Sequence, residues 1–200
     1  MINKYNNLKT KTKGENNMDC MEALKTRRSV KKFTDKQIND DDLREILDAA
    51  CNAPSGMNLQ SPKIIVIQRK DIIERFSKWN LSCFPDEIQE KLGDIDPFYN
   101  APTLLIVLAD KNVPTCVEDA SLTIGNILNA ATALGIGSCW IHRAREEFDS
   151  VQAKELLKVW GLSEDYIGVG HVVLGYPADD YEVPKKSIKE DYVLFADELL

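Results

Sequence analysis

Lys25, Arg27, Arg28, Lys31, Lys32 and Lys36 crowd the stretch LKTRRSVKKFTDKQI (24–38), yet the chain as a whole carries formal net charge −7 and a pI near 5.0. A local excess of cations in an acidic protein raises the question of which anion they serve. In an extended segment side chains alternate between faces, so Arg27, Ser29 and Lys31 share one side while Arg28, Val30 and Lys32 share the other. One face then presents two cations and a hydroxyl to a single anion. A solvated charged turn is the competing use of the same residues, and a polyanion-binding patch is a third. The acidic total disfavours the last, because a nucleic-acid partner requires a basic face to displace its counterions.

A second stretch with chemical content is APSGMNLQSP (53–62). Pro54 and Gly56 break regular structure, and Ser55, Asn58 and Gln60 supply hydroxyl and carboxamide groups that both donate and accept hydrogen bonds, a set suited to the edge of a heteroaromatic ring. The third is LGIGSCWIHRAREEF (134–148). Gly135 and Gly137 look like the start of a dinucleotide fingerprint, but the order is helix, glycines, strand, and the third glycine is missing. Cys139 and His142 lie three residues apart on a strand and face opposite sides, so they form no thiol–imidazole pair. Cys139 reads as packing, His142 as a residue at a strand exit, and His171 as a core histidine. The five cysteines show no C-x-x-C spacing and there are two histidines, which excludes a zinc-type site and suits reduced, mostly buried thiols.

These stretches need elements to hold them. With 200 residues, 44% of them hydrophobic, the chain can bury a core as one domain. Residues 1–17 are polar and predict a disordered lead, with a single domain over 18–200 that ends in an extension. No apolar run reaches the length of a membrane span, and no secretory signal opens the chain, so the expected compartment is the cytoplasm. A short helix is predicted from Met18 into the basic cluster. A second follows Asn39 as N-cap, with Leu43, Ile46, Leu47 and Ala50 on one face and Pro54 as its stop. KIIVIQ (63–68) and TLLIVLAD (103–110) are continuous apolar runs, the mark of strands covered on both faces. The longest helix is predicted over 117–134, with Ala120, Ile124, Ile127, Leu128, Ala131 and Leu134 as its apolar stripe and Gly135 as its stop. GSCWIH and GVGHVVLGYP read as strands, and DSVQAKELLKVWG as a helix with Asp149 and Gln152 placed like a capping box. Helices interspersed with buried strands give an α+β or three-layer sandwich.

TRRSVKKF after a first helix, APSGMNLQSP after the second, LGIGSCWI after a long helix, and GYP followed by PKKS come in the order and spacing of the flavin-dependent nitroreductases. From about Met18 to Val193 the chain resembles that family. The resemblance implies a three-layer α-β-α sandwich with a mixed, mainly antiparallel sheet, and makes the anion the phosphate of FMN. By it, Arg27, Arg28, Ser29 and Lys31 address the ribityl phosphate and the pyrimidine end of the ring, Lys31 being placed to favour the anionic reduced flavin. Pro54, Ser55, Asn58 and Gln60 match the family's second flavin loop, although Ser61-Pro62-Lys63 stands where members carry Pro-Trp. Trp140, Ile141, His142 and Arg143 occupy the strand end whose backbone N–H approaches flavin N5. Lys185 and Lys186 match the closing phosphate cations, with Ser187 where some relatives have Arg.

The resemblance further implies a homodimer with FMN at the interface, each site built from both chains, with the long helix at that interface and the tail YVLFADELL wrapping the partner. NAD(P)H gives hydride to N5 and an electron-poor acceptor such as a nitroaromatic or quinone takes it, by a ping-pong mechanism. No catalytic side chain and no metal are required, and neither nucleic acid nor membrane is a partner. A non-catalytic FMN store or sensor, a reductive dehalogenase and a flavin-destroying enzyme are alternatives that keep the same motifs. A polyanion-binding module is the alternative outside flavin chemistry.

Overall fold

The structure, a computed structural model, describes residues 18–93 and 95–195. The expected lead, residues 1–17, lies outside the described residues, as does the end of the tail. Helix α1 (Cys20–Thr26) starts at Asp19, whose carboxylate accepts the Met21 N–H. Helix α2 (Asp40–Cys51) starts at Asn39, whose side chain accepts the Asp42 N–H, and Asp40, Asp41 and Asp42 stand at the positive end of its dipole. Strand β1 (Pro62–Ile67) leads into α3 (Lys70–Ser82) and α4 (Asp86–Leu92). Strand β2 (Thr103–Asp110) leads into the long α5 (Cys116–Ala133), and β3 (Gly137–Ile141) follows. Short α6 (Ala144–Phe148), α7 (Val151–Val159) and strand β4 (Tyr166–Gly175) complete the fold.

The sheet order is β1-β2-β4-β3, and all three pairings are antiparallel. Central strand β2 is buried on both faces, as its unbroken apolar run requires. Leu105, Val107 and Ala109 pack with Ile46 of α2 and Ile124 of α5 on one side. Leu104, Ile106 and Leu108 pack with Phe76 of α3 and Leu157 of α7 on the other. This is the expected α-β-α sandwich. The parallel element of the sheet is a single bridge, Ser29 to Ser138, which attaches the basic stretch to the outer edge of β3.

Strand β1, expected like β2 to be covered on both faces, is an edge strand with Val66 exposed and Ile64 and Ile65 only partly buried. Among the described residues it has a hydrogen-bonded neighbour on one side only, and its faces are incompletely covered. Other expectations change as well. The helix after Phe148 is capped by Ser150, whose hydroxyl accepts the Ala153 N–H, not by an Asp149–Gln152 box. The apolar stripe of α5 also serves this chain's own core: Ala120, Ile124, Ile127 and Ala131 are fully buried against the sheet and α2. What α5 leaves open is a different, narrower face that includes Val117 and Leu122. Periodicity identifies an apolar face but not what covers it, and the sheet claimed this one.

Candidate functional site

The basic stretch runs antiparallel to the segment that follows β4. Phe33 bridges Pro177, Thr34 N–H donates to the Tyr176 carbonyl, and Ala178 N–H donates to the Lys32 carbonyl. Tyr181 closes this strap by donating its hydroxyl to the Ser29 carbonyl at 2.8 Å. On its other side Val30 N–H donates to the Ser138 carbonyl of β3. Residues 29–34 are therefore held in an extended form from both sides, the condition for alternation.

The alternation separates the cations. Arg28 turns back onto its own chain, donating to the carbonyl oxygens of Lys25 at 3.0 Å and Arg27 at 2.7 Å, and so closes the C-terminus of α1. Lys32 pairs with Asp180 across the strap, and Lys36 lies 4.7 Å over the ring of Tyr176. Arg27, Ser29 and Lys31 instead converge on Cys139 of β3. Burial raises the Cys139 thiol pKa, with the Ser29 hydroxyl and the charges of Lys31 and Arg27 pulling the other way. Lys31 sits 5.9 Å from the centre of the Tyr99 ring, and the Tyr99 phenol is likewise raised by burial and opposed by Lys31. Neither Arg27 nor Lys31 has a carboxylate partner among the described residues. Two cations beside a hydroxyl, without a carboxylate partner among the described residues, form a cationic face that favours an anion.

This cationic face lies along β3, Ser29 bridging Ser138. Trp140 and His142 point to the α5 side with their rings stacked 6.3 Å apart, and an added Cβ on Gly170 would lie 2.2 Å from the Trp140 indole nitrogen. Ile141 is buried in the opposite core layer. Arg143 adopts a left-handed backbone, φ 78 and ψ 1, which is strained for a side chain with a Cβ. Its guanidinium pairs with Glu146 at 2.6 Å and lies 4.7 Å over the Phe84 ring. Lys185 and Lys186 are exposed beyond the strap, outside any helix or strand.

The second loop lies elsewhere. Gly56 N–H donates to buried Asp119 near the start of α5 at 2.9 Å, and Thr115 donates to the same carboxylate at 3.2 Å. Met57, Asn58 and Gln60 all have positive φ, the Gln60 N–H is held by the Ser55 hydroxyl, and the Gln60 amide donates to Asn58 at 3.0 Å. This loop opens β1, one edge of the sheet, whereas Ser29 lies along β3, the other edge. Three interstrand steps separate the edges, roughly 14 Å. Pro54, Ser55 and Gln60 border a cavity of ≈ 560 Å³ between α2 and β1. One chain thus brings Arg27, Ser29, Lys31 and the Trp140–Arg143 segment together, and keeps Pro54, Ser55, Asn58 and Gln60 apart from them.

Tyr181, Tyr99 and Cys139 are the neighbours that sequence reasoning did not assign to the site. Tyr181 lies 152 positions from Ser29 in sequence, and neither its spacing nor its type marks it.

An α-β-α sandwich carries, at the edge of its sheet, a cationic face with no carboxylate partner among the described residues. The profile of the nitroreductase family matches residues 24–176, and the chain belongs to that family. An Archaeoglobus fulgidus protein grouped by name with the NADH dehydrogenase/NAD(P)H nitroreductases is 34% identical over 168 residues, covering 81% of this chain and 87% of that one. The crystal structure of a Bacteroides fragilis nitroreductase with bound FMN superposes with TM-score 0.81 at 30% identity, covering 89% of this chain and 98% of that one. An iodotyrosine deiodinase from Thermotoga neapolitana is 29% identical over 130 residues, 58% of this chain and 70% of its own.

Proposed function

We propose that this protein is an FMN-dependent oxidoreductase that moves a hydride from NAD(P)H through flavin N5 to an electron-poor acceptor, a nitroaromatic or quinone, in a ping-pong cycle. Its family, and the FMN held by the Bacteroides fragilis relative, support the cofactor. The observation that carries the reading to this chain's residues is the pair Arg27 and Lys31, turned to one side with Ser29 and without a carboxylate partner among the described residues, while their neighbours Arg28 and Lys32 are engaged elsewhere. That donor set fits a phosphate monoester and the carbonyl edge of a flat ring. Arg27 and Ser29 bind and orient. Lys31 places a positive charge where the reduced ring becomes anionic, and so favours reduction. Lys185 and Lys186, four and five residues after Tyr181 of the strap, add cations for the phosphate.

The site is completed by a second copy of the chain. Pro54, Ser55, Asn58 and Gln60 lie at one edge of the sheet and the cationic face at the other, so a two-fold dimer supplies the loop of one chain to the cationic face of its partner. The exposed apolar residues Tyr192, Val193, Leu194 and Phe195 are available to grip that partner.

Light scattering and the visible spectrum test this together. The expected result is a yellow dimer with one FMN per chain that NADH or NADPH bleaches without oxygen and a nitroaromatic restores. A colourless monomer that takes up no added FMN sinks the reading. Bleaching without return to any nitro compound or quinone, but with return to a halophenol, moves it to reductive dehalogenation, the chemistry in the name of the Thermotoga neapolitana relative.

A further inference from the structure

Behind the end of β3 lies a fully buried polar chain that the mechanism above does not use. Asn80 of α3, Glu147 of α6 and His171 of β4 are each 0% exposed. His171 Nε2 and Glu147 Oε2 are 2.9 Å apart. The Asn80 amide nitrogen spends both its hydrogens, one on Glu147 Oε1 at 2.6 Å and one on the His142 carbonyl at 2.7 Å. Phe98 packs its ring against His171 at 5.3 Å, so the chain is walled from solvent. Buried polar groups are costly unless they bond one another. Here three elements meet, and one arm of their hydrogen bonding ends on one backbone carbonyl, while Asn80 Oδ1 and His171 Nδ1 have no partner among the described residues.

The carbonyl of His142 and the N–H of Arg143 belong to the same planar trans peptide and point in opposite directions. With the carbonyl drawn inward to Asn80, the N–H is turned outward, away from α3. It meets no acceptor among the described residues. The left-handed backbone of Arg143 holds this orientation from the other side, its own carbonyl accepting the Glu147 N–H at 3.0 Å. Glu147 therefore touches the turn twice, through its main chain and, by way of Asn80, through its side chain.

We propose that Asn80, Glu147 and His171 are positioning residues that lock the His142–Arg143 peptide with its N–H aimed at the N5 edge of the flavin, an inference that rests on the FMN reading above. A donor at N5 favours the oxidised ring, whose N5 is an acceptor, over the reduced ring, whose N5 carries a hydrogen. The brace thereby sets both the orientation of the ring and the driving force for hydride arrival.

The test uses the full chain with and without FMN. In the ¹⁵N-labelled wild type, FMN is expected to slow exchange of the Arg143 amide hydrogen tenfold or more. Asn80→Ala is expected to raise the FMN Kd three- to tenfold, to abolish most of that slowing, and to shift the two-electron midpoint potential upward. Glu147→Gln, which preserves size, is expected to move the same three readouts in the same direction by less. A role confined to stability lowers the melting temperature of both variants and leaves the potential where it was, which overturns the proposal. If neither variant folds, the wild-type exchange decides: an Arg143 amide indifferent to FMN overturns the brace. Failure of the wild type to take up FMN overturns the functional reading and this inference with it, whereas uptake with unchanged Arg143 exchange overturns the inference alone.

Discussion

Replacing the four central cations one at a time separates a flavin-binding face from a structural one. Arg27 is half-buried and has no carboxylate partner among the described residues, so its guanidinium is available for a charge-assisted hydrogen bond to phosphate, worth about 1.5–3 kcal/mol. Arg27→Ala should therefore raise the FMN dissociation constant about 12- to 160-fold. Lys32→Ala removes an ion pair with Asp180 whose side chains are 56% and 70% exposed. Such an exposed pair is screened by solvent and contributes little to stability, and FMN affinity should hold within about twofold. Arg28→Ala removes two hydrogen bonds to the end of α1, which should cost about 1–2 kcal/mol of folding stability with a less than about threefold change in FMN affinity. Lys31→Ala should lower the flavin midpoint potential more than it weakens binding, because its charge favours the anionic reduced ring. Flavin fluorescence titration, potentiometry and urea unfolding on the four variants measure all of this. Equal effects on FMN at Arg27 and Lys32, or an effect at Arg28 as large as at Arg27, would refute the division of faces.

Asp119→Ala frees the Gly56 N–H and the Thr115 hydroxyl that the carboxylate now accepts; a stability loss of about 1–3 kcal/mol and weaker FMN retention are expected, read by urea unfolding and fluorescence. Gly170→Ala sets a Cβ 2.2 Å from the Trp140 indole nitrogen and 3.0 Å from Ile124, so unfolding should ease by about 1–3 kcal/mol with a change in tryptophan fluorescence. Iodoacetamide at mildly alkaline pH should label the exposed Cys20 and Cys51 first, Cys83 slowly and Cys139 last, because burial raises the latter two thiols and withholds the reactive thiolate; mass spectrometry of timed digests checks the order. The Asp180 carboxyl is held below its ordinary range by its hydrogen bond to Lys32. Its contribution is full above the unfolded-state value and fades as pH falls through the lowered one, so the acid limb of the melting curve should flatten slightly in Asp180→Asn.

Local chemistry made much of this protein legible in the sequence. The Asn39 cap, the apolar run of buried β2, the α5 periodicity and the alternation of Arg27, Ser29 and Lys31 depend on neighbours within a few residues, and order along the chain was enough to carry the family resemblance. The similar run of β1, by contrast, did not show that it lies at an exposed sheet edge. The tertiary structure alone decided what meets across long separations. It assigned the α5 stripe to the sheet, sent Arg28 to a helix end, brought Tyr181 onto Ser29 and put the loop at 54–60 on the opposite sheet edge from the cations. It also joined Asn80, Glu147 and His171, which occupy three elements with no shared spacing. Residues that interact through the fold leave no periodic signal, because burial and hydrogen-bond satisfaction are set by which surfaces are packed together and not by distance along the chain.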